Sequence, residues 1–180
     1  MYYAGIGSRN TPVSILNAFM ELGKILAEKG YILRSGRADG ADSYFEKGAV
    51  SVHGTCEIFL PWRSFQSNSE LASFPAIVFD DLDPRQKDAA FASVTKYHPN
   101  PKALSFGAKK LMARNYCQMF GVSPDSAASD FVICYTSDGL ASGGTGQAIR
   151  MAEDAGIRVF NAHGYESNPA EFIRLVLSSI

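Results

Sequence analysis

Five short apolar runs, each separated from the next by intervening sequence that includes helical periodicity, constrain this chain more than any other feature. They are Tyr2–Ile6, Tyr31–Arg34, Glu57–Leu60, Phe131–Tyr135 and Arg158–Phe160, each of strand length and bounded by Gly, Ser, Asp or Pro. After the first, Leu16, Phe19, Met20, Gly23, Leu26 and Ala27 recur at the i, i+3, i+4, i+7 spacing of a helix over Pro12–Lys29. Thr11 is the expected N-cap, Pro12 the first helical residue and Gly30 the stop. Further helices are expected over Gly40–Val52, Leu104–Phe120 and Gln147–Ala155, the last closed by Gly156. Another starts near Pro169 and buries Phe172, Ile173, Val176 and Ile180. Strands that are apolar throughout, rather than alternating, belong to a parallel sheet covered on both sides. The expected fold is α/β and doubly wound: a mostly parallel sheet of about five to six strands with helices on both faces.

The segment from about 62 to 102 fits this rhythm least. "RSFQSNSE" is polar and loop-like, Phe74–Phe79 suits a short edge element, and a short helix is expected after Asp83-Pro84. It reads as an insertion carried by one domain spanning 1–180, a length that suits a single core. Seventeen basic residues against eighteen acidic ones give a net charge of −1, without the basic surplus of a duplex-DNA or anionic-membrane binder. Cys56, Cys117 and Cys134 are odd in number and widely spaced, which suggests neither a disulfide framework nor a metal-binding pair; Cys134 reads as a core residue. With no signal-peptide pattern and no long apolar run, the expectation is a cytoplasmic protein without a membrane span.

In an open parallel sheet, ligands bind beyond the carboxyl ends of the strands, so the residues that follow each run carry the chemistry. These are Gly7-Ser8-Arg9-Asn10, "SGRADGAD" (35–42), Pro61-Trp62-Arg63, "TSDGLASGGTGQAIR" (136–150) and Asn161-Ala162-His163. Three of the five are rich in Gly, Ser and Asp, and two of those run directly into helices. Helix N-termini offer unpaired N–H groups and partial positive charge, and glycine lets a phosphate reach the backbone. Arg9, Arg34 and Arg37 lie at the same edge and carry the forked donors that phosphates favour. Ordinary readings stand beside these: turn glycines at Gly5 and Gly7, helix capping by Asp39 and Asp42, a turn at Asp138-Gly139, surface arginines. His98 reads as a loop residue. Trp62, the only tryptophan, either stacks on a base or packs on the insertion. Glu46 is expected to face outward, and Tyr116, two positions from Arg114, to face away from it. No Walker A sequence, full GxGxxG or metal site occurs, and no cofactor is implied.

Gly7-Ser8-Arg9, "SGRADGAD", "SGGTGQA" and "LMARNYCQMFG" (111–121) followed by "DFVICYT" resemble the SLOG superfamily, in particular its stand-alone phage and bacterial members. That group of Rossmann-like nucleotide-binding proteins includes the DNA-processing protein DprA and the cytokinin-activating LOG phosphoribohydrolases. The resemblance spans roughly residues 2–162, and four weak motifs in the right order make it fairly specific. It implies a nucleotide or nucleotide-derived phosphorylated ligand at the sheet's carboxyl edge, and a homo-oligomer. The implied ligand-binding residues are Gly7, Ser8, Arg9, Asn10, Ser35, Gly36, Arg37, Trp62, Arg114, Asn115, Ser142, Gly143, Gly144, Thr145, Gly146 and Gln147.

In LOG-like enzymes a helix-borne Arg and a Glu after the glycine loop cleave an N-glycosidic bond. Arg114 matches the first, but Gln147, Ile149 and Arg150 stand where the acidic pair is expected. An amide stabilises oxocarbenium-like charge less well than a carboxylate, which leaves Asp39 or Asp42 as candidate catalytic acids beside Arg114. Three functions follow: a binding protein that senses or sequesters the nucleotide, a nucleoside-monophosphate N-glycosidase, and a DprA-like single-stranded DNA binder. The last is disfavoured by the charge balance.

Overall fold

Along β5 (Phe131–Cys134) all four residues are buried, yet they serve two cores. Phe131 and Ile133 point into one and Val132 and Cys134 into the other. The same alternation divides Tyr3 from Ala4 on β1 (Tyr2–Gly5) and Ile58 from Phe59 on β3 (Cys56–Leu60). Successive side chains of a strand face opposite ways, so strands apolar on both faces demand a layer on each side. The computed structural model describes residues 1–122 and 126–180, and it supplies both layers.

One face of the sheet is covered by α1 (Val13–Glu28), α2 (Ala41–Val50) and α6 (Pro169–Ser178), which bring Phe19, Phe45 and Phe172 onto Tyr3, Leu33 and Phe131. The other is covered by α3 (Pro84–Tyr97), α4 (Phe106–Phe120) and α5 (Gly143–Asp154), through Val94, Cys117, Met119 and Met151. With β2 (Ile32–Ser35), β4 (Ile77–Val78) and β6 (Arg158–Asn161), the six strands run in the order β4-β3-β2-β1-β5-β6, all parallel. Tyr3 pairs with Leu33 on one side and Phe131 on the other. The chain thus winds outward from β1 to β4, then returns to β1's free side with β5. That reversal opens a crevice at the carboxyl ends of β1 and β5.

Several local expectations are corrected. Pro12, not Thr11, flanks the first turn of α1, and the Thr11 hydroxyl instead donates to the Ser8 carbonyl at 2.6 Å. The helix expected from Gln147 begins at Gly143, so the glycines form its first turn instead of preceding it. The short helix of the 62–102 segment is fourteen residues long, capped by reciprocal Asp83 and Gln86 bonds, and it joins the α4–α5 layer. The edge element sought in Phe74–Phe79 is the two-residue β4. Glu46 does not face outward: it is wholly buried against Arg37. Arg34 is wholly buried as well, bonding Glu57 and the Ala127 carbonyl at 2.7 Å each and lying 3.9 Å from the Tyr2 ring centroid.

Candidate functional site

The first strand ends by turning tightly. Ser8 N–H donates to the Tyr135 carbonyl, Asn10 N–H to Ser8 Oγ, and Thr11 N–H to the Ser8 carbonyl. This turn abuts the start of α2 so closely that a Cβ on Gly7 would stand 2.7 Å from the Ala41 methyl. Gly40, at φ +87°, has no room either, since its Cβ would lie 2.9 Å from the Ser8 carbonyl oxygen. Here glycine serves a lock between two loops, and the lock presents Ser8, Arg9 and Asn10 along one rim of the crevice.

Across from it stands the N-terminus of α5. No side chain caps it, because the Ser142 hydroxyl donates instead to Asp138 at 2.9 Å. The bond from Leu140 N–H and, after it, the one from the Ser142 hydroxyl hold the Asp138 carboxyl below the usual aspartate range. Gly146 allows the segment before the helix to fold back, a Cβ there reaching 2.2 Å from Ala141 C. Ser142, Gly143, Gly144 and Thr145 therefore line the crevice with backbone, opposite Ser8. An uncapped helix start facing a glycine-bearing turn is a site for an anion.

The floor comes from α4. Arg114 is almost fully buried, its Nη1 3.3 Å from Asp42 Oδ2 with a longer contact to the Phe59 carbonyl. Its guanidinium occupies the space that any side chain at Gly36 would need, 0.9 Å from the ideal Cβ. Burial pushes the Asp42 carboxyl above the ordinary aspartate range; Arg114 and the N–H groups of Ala38 and Gly36 oppose that only in part. Asn115, beside it, donates from Nδ2 to Gln147 Oε1 at 2.8 Å and to the Gly144 carbonyl at 3.4 Å. Trp62 meets Phe65 edge-on at 5.5 Å, and Leu111 and Met112 add apolar lining, Met112 lying against Gly144. The whole encloses about 660 Å³, within the range of small-molecule sites.

Most of the residues singled out by sequence converge here: Gly7, Ser8, Arg9, Asn10, Asp39, Asp42, Trp62, Arg114, Asn115 and 142–145. Five do not line the crevice. Ser35 is buried, its hydroxyl donating to the Gly5 carbonyl at 2.6 Å. Gly36 is covered by Arg114. Arg37 is turned into the core, where it clasps Glu46 and the carbonyls of Phe74 and Pro75. Gly146 and Gln147 lie inside α5, with Gln147 wholly buried. Arg34, raised with Arg37 as an edge donor, also belongs to the interior. Phe65, Thr136 and Gln118 line the crevice without having been singled out. Gln118 had a usable signal, lying one helical turn beyond Asn115 on the same face. Burial pushes the thiols of Cys56, Cys117 and Cys134 up to about 12, so none is a ready nucleophile.

A six-stranded parallel sheet of this order, with its crevice at the β1/β5 reversal, defines the protein as Rossmann-like. Among solved structures, the chain is similar to DNA processing protein A from Helicobacter pylori, with 16% identity over 99% of this chain and 81% of that one, at a TM-score of 0.61. It is also similar to the molybdenum cofactor carrier protein of Chlamydomonas reinhardtii, with 22% identity over 89% and 75% of the two chains, at a TM-score of 0.52. A third is DNA processing protein A from Streptococcus pneumoniae, with 16% identity, a TM-score of 0.59, and 99% of this chain covering 56% of that one. These share the SLOG-type fold, and the chain has that fold too. No protein-family model and no curated protein sequence matches the chain.

Proposed function

We propose that the protein binds a nucleotide or nucleotide-derived phosphorylated ligand in the β1/β5 crevice, sensing or sequestering it. The observation that carries this reading is the polarity of the crevice. Backbone amides and a helix start suit a phosphate, and Trp62 and Phe65 in the same crevice suit a base. The molybdenum cofactor carrier, by its title, likewise carries a small ligand on this fold.

Two other readings draw less support. An N-glycosidase needs a carboxylate at the sugar; Asp42 is held by Arg114, which leaves Asp39, exposed in the crevice lining, as the acid that reading would use. A single-stranded DNA track needs surplus positive charge, whereas the charged residues lining the crevice are Arg9 and Arg114 against Asp39 and Asp42. The Helicobacter protein's title names single-stranded DNA binding, and a salt-sensitive gel shift with an oligonucleotide would favour that reading here. Release of free base from nucleoside monophosphates, abolished by Arg114→Ala, would favour the enzyme. We place the protein in the cytoplasm, where its three free thiols stay reduced, and as a homo-oligomer.

The direct test is Thr145→Glu. A carboxylate in the first turn of α5 suits the helix dipole but occupies and repels from the anion end. Calorimetry with a panel of nucleoside 5′-monophosphates is expected to show binding by the wild type and at least tenfold weaker binding by the variant, whose unliganded melting temperature is not lowered. Equal affinity in the two proteins would remove the phosphate from this end.

A further inference from the structure

We propose that Asn115 and Gln118 form a hydroxyl-reading pair in the floor of the crevice, so that the ligand's sugar is a ribose and its deoxy counterpart is discriminated against. This rests on the nucleotide reading of the same site. The Gly144 carbonyl can only accept a hydrogen bond, so the Asn115 amide must turn its NH2 towards it. The second amide proton goes to Gln147 Oε1. Both donors of Asn115 are thereby spent within the protein, and the group left to face the crevice that Asn115 lines is Oδ1, an acceptor.

Gln118, one turn further along the same face of α4, supplies the opposite character. Its side chain is 1% exposed and lines the crevice, and its Nε2 has no partner among the described residues. A buried donor left without a partner is costly, and it belongs to the residue one helical turn from Asn115 on the same face of α4. A phosphate oxygen would satisfy only the donor and an exocyclic amine only the acceptor. A hydroxyl both donates and accepts, as does a base edge with adjacent donor and acceptor, so position in the crevice decides for the sugar. The location agrees: Asn115 touches Gly144 at the anion end, and the group next to the phosphate in a nucleotide is the pentose.

Gln147 acts here as a positioning residue. Wholly buried, it makes a single side-chain hydrogen bond among the described residues, the one that fixes Asn115, and its own Nε2 is unpartnered.

The test is calorimetric titration of the four ribonucleoside 5′-monophosphates and their 2′-deoxy and 3′-deoxy counterparts. In the wild type at least one ribo form is expected to bind about tenfold tighter than its better deoxy counterpart, the scale of one hydrogen bond with its partner left unmet. Asn115→Ala and Gln147→Met should bring that ratio within about twofold. Gln147→Glu, which keeps an acceptor for the Asn115 amide, should restore the ratio. If ribo and deoxy forms bind the wild type equally well, the hydroxyl-reading pair is wrong while nucleotide binding stands. If none of the probes binds, both fall. A ratio unchanged by folded Gln147→Met would remove Gln147 from the device.

Discussion

Gly36 is small because an arginine lies on it. Read in "SGRADGAD", it suits a backbone approached by phosphate; in the folded chain, Arg114 from α4 fills the space its side chain would take. A glycine in a loop announces that something comes close, but what comes close is decided by chain packing that no local motif records. Arg37 shows the same limit: its left-handed backbone, φ +55°, turns it inward to Glu46, which local spacing could not foretell. Arg9, Asn10 and Ser8 were legible because a strand end followed at once by polar groups leaves them nowhere but the rim. Gly36→Ala is expected to displace Arg114 and destabilise the fold by about 1–3 kcal/mol, the usual cost of overpacking, as read by urea denaturation. A neutral outcome would mean that Arg114 moves aside freely and is not fixed by this contact.

At the level of elements, α1 and α2 cross at two glycines. A Cβ on Gly48 would stand 1.9 Å from the Met20 carbonyl oxygen, and one on Gly23 would stand 2.4 Å from that of Phe45. An isolated glycine in a helix gains about 1 kcal/mol on becoming alanine, whereas Gly48→Ala is expected to cost about 1–3 kcal/mol because the backbones must part. Chemical denaturation separates these by sign. The strands were legible because both their faces are apolar, and α4 because its register is long and regular. The start of α5 was not. Glycine's poor helix propensity argues for a loop, yet a Cβ at Gly144 would crowd Met112 and one at Gly146 would overlap Ala141. Close packing, not propensity, sets where that helix begins.

For the molecule as a whole, the sequence announces a covered parallel sheet but not the return of β5 to β1, and so not which loops share the crevice. Nor does it announce the charge balance of that crevice, which exists only once Asp42 and Arg114 meet. Burial of Asp42, which Arg114 offsets only in part, makes stability depend on pH in an unusual direction. A carboxyl whose pKa is raised by folding holds its proton more tightly in the folded chain. Stability therefore falls as pH climbs from the ordinary aspartate value of about 4 through the raised one. Asp42→Asn removes that titration, so over this window the variant's stability relative to wild type is expected to improve as pH rises, measured by urea denaturation in buffers across it. A drift the other way would show that Arg114 outweighs burial. Finally, Arg37 grips Glu46 of α2 and the carbonyls of Phe74 and Pro75 at once. That rivet fastens the far end of the stretch that bears Trp62 and Phe65 to the body of the molecule, so a ligand of the proposed kind is expected to meet a doorway already standing and to leave little of its host to organise.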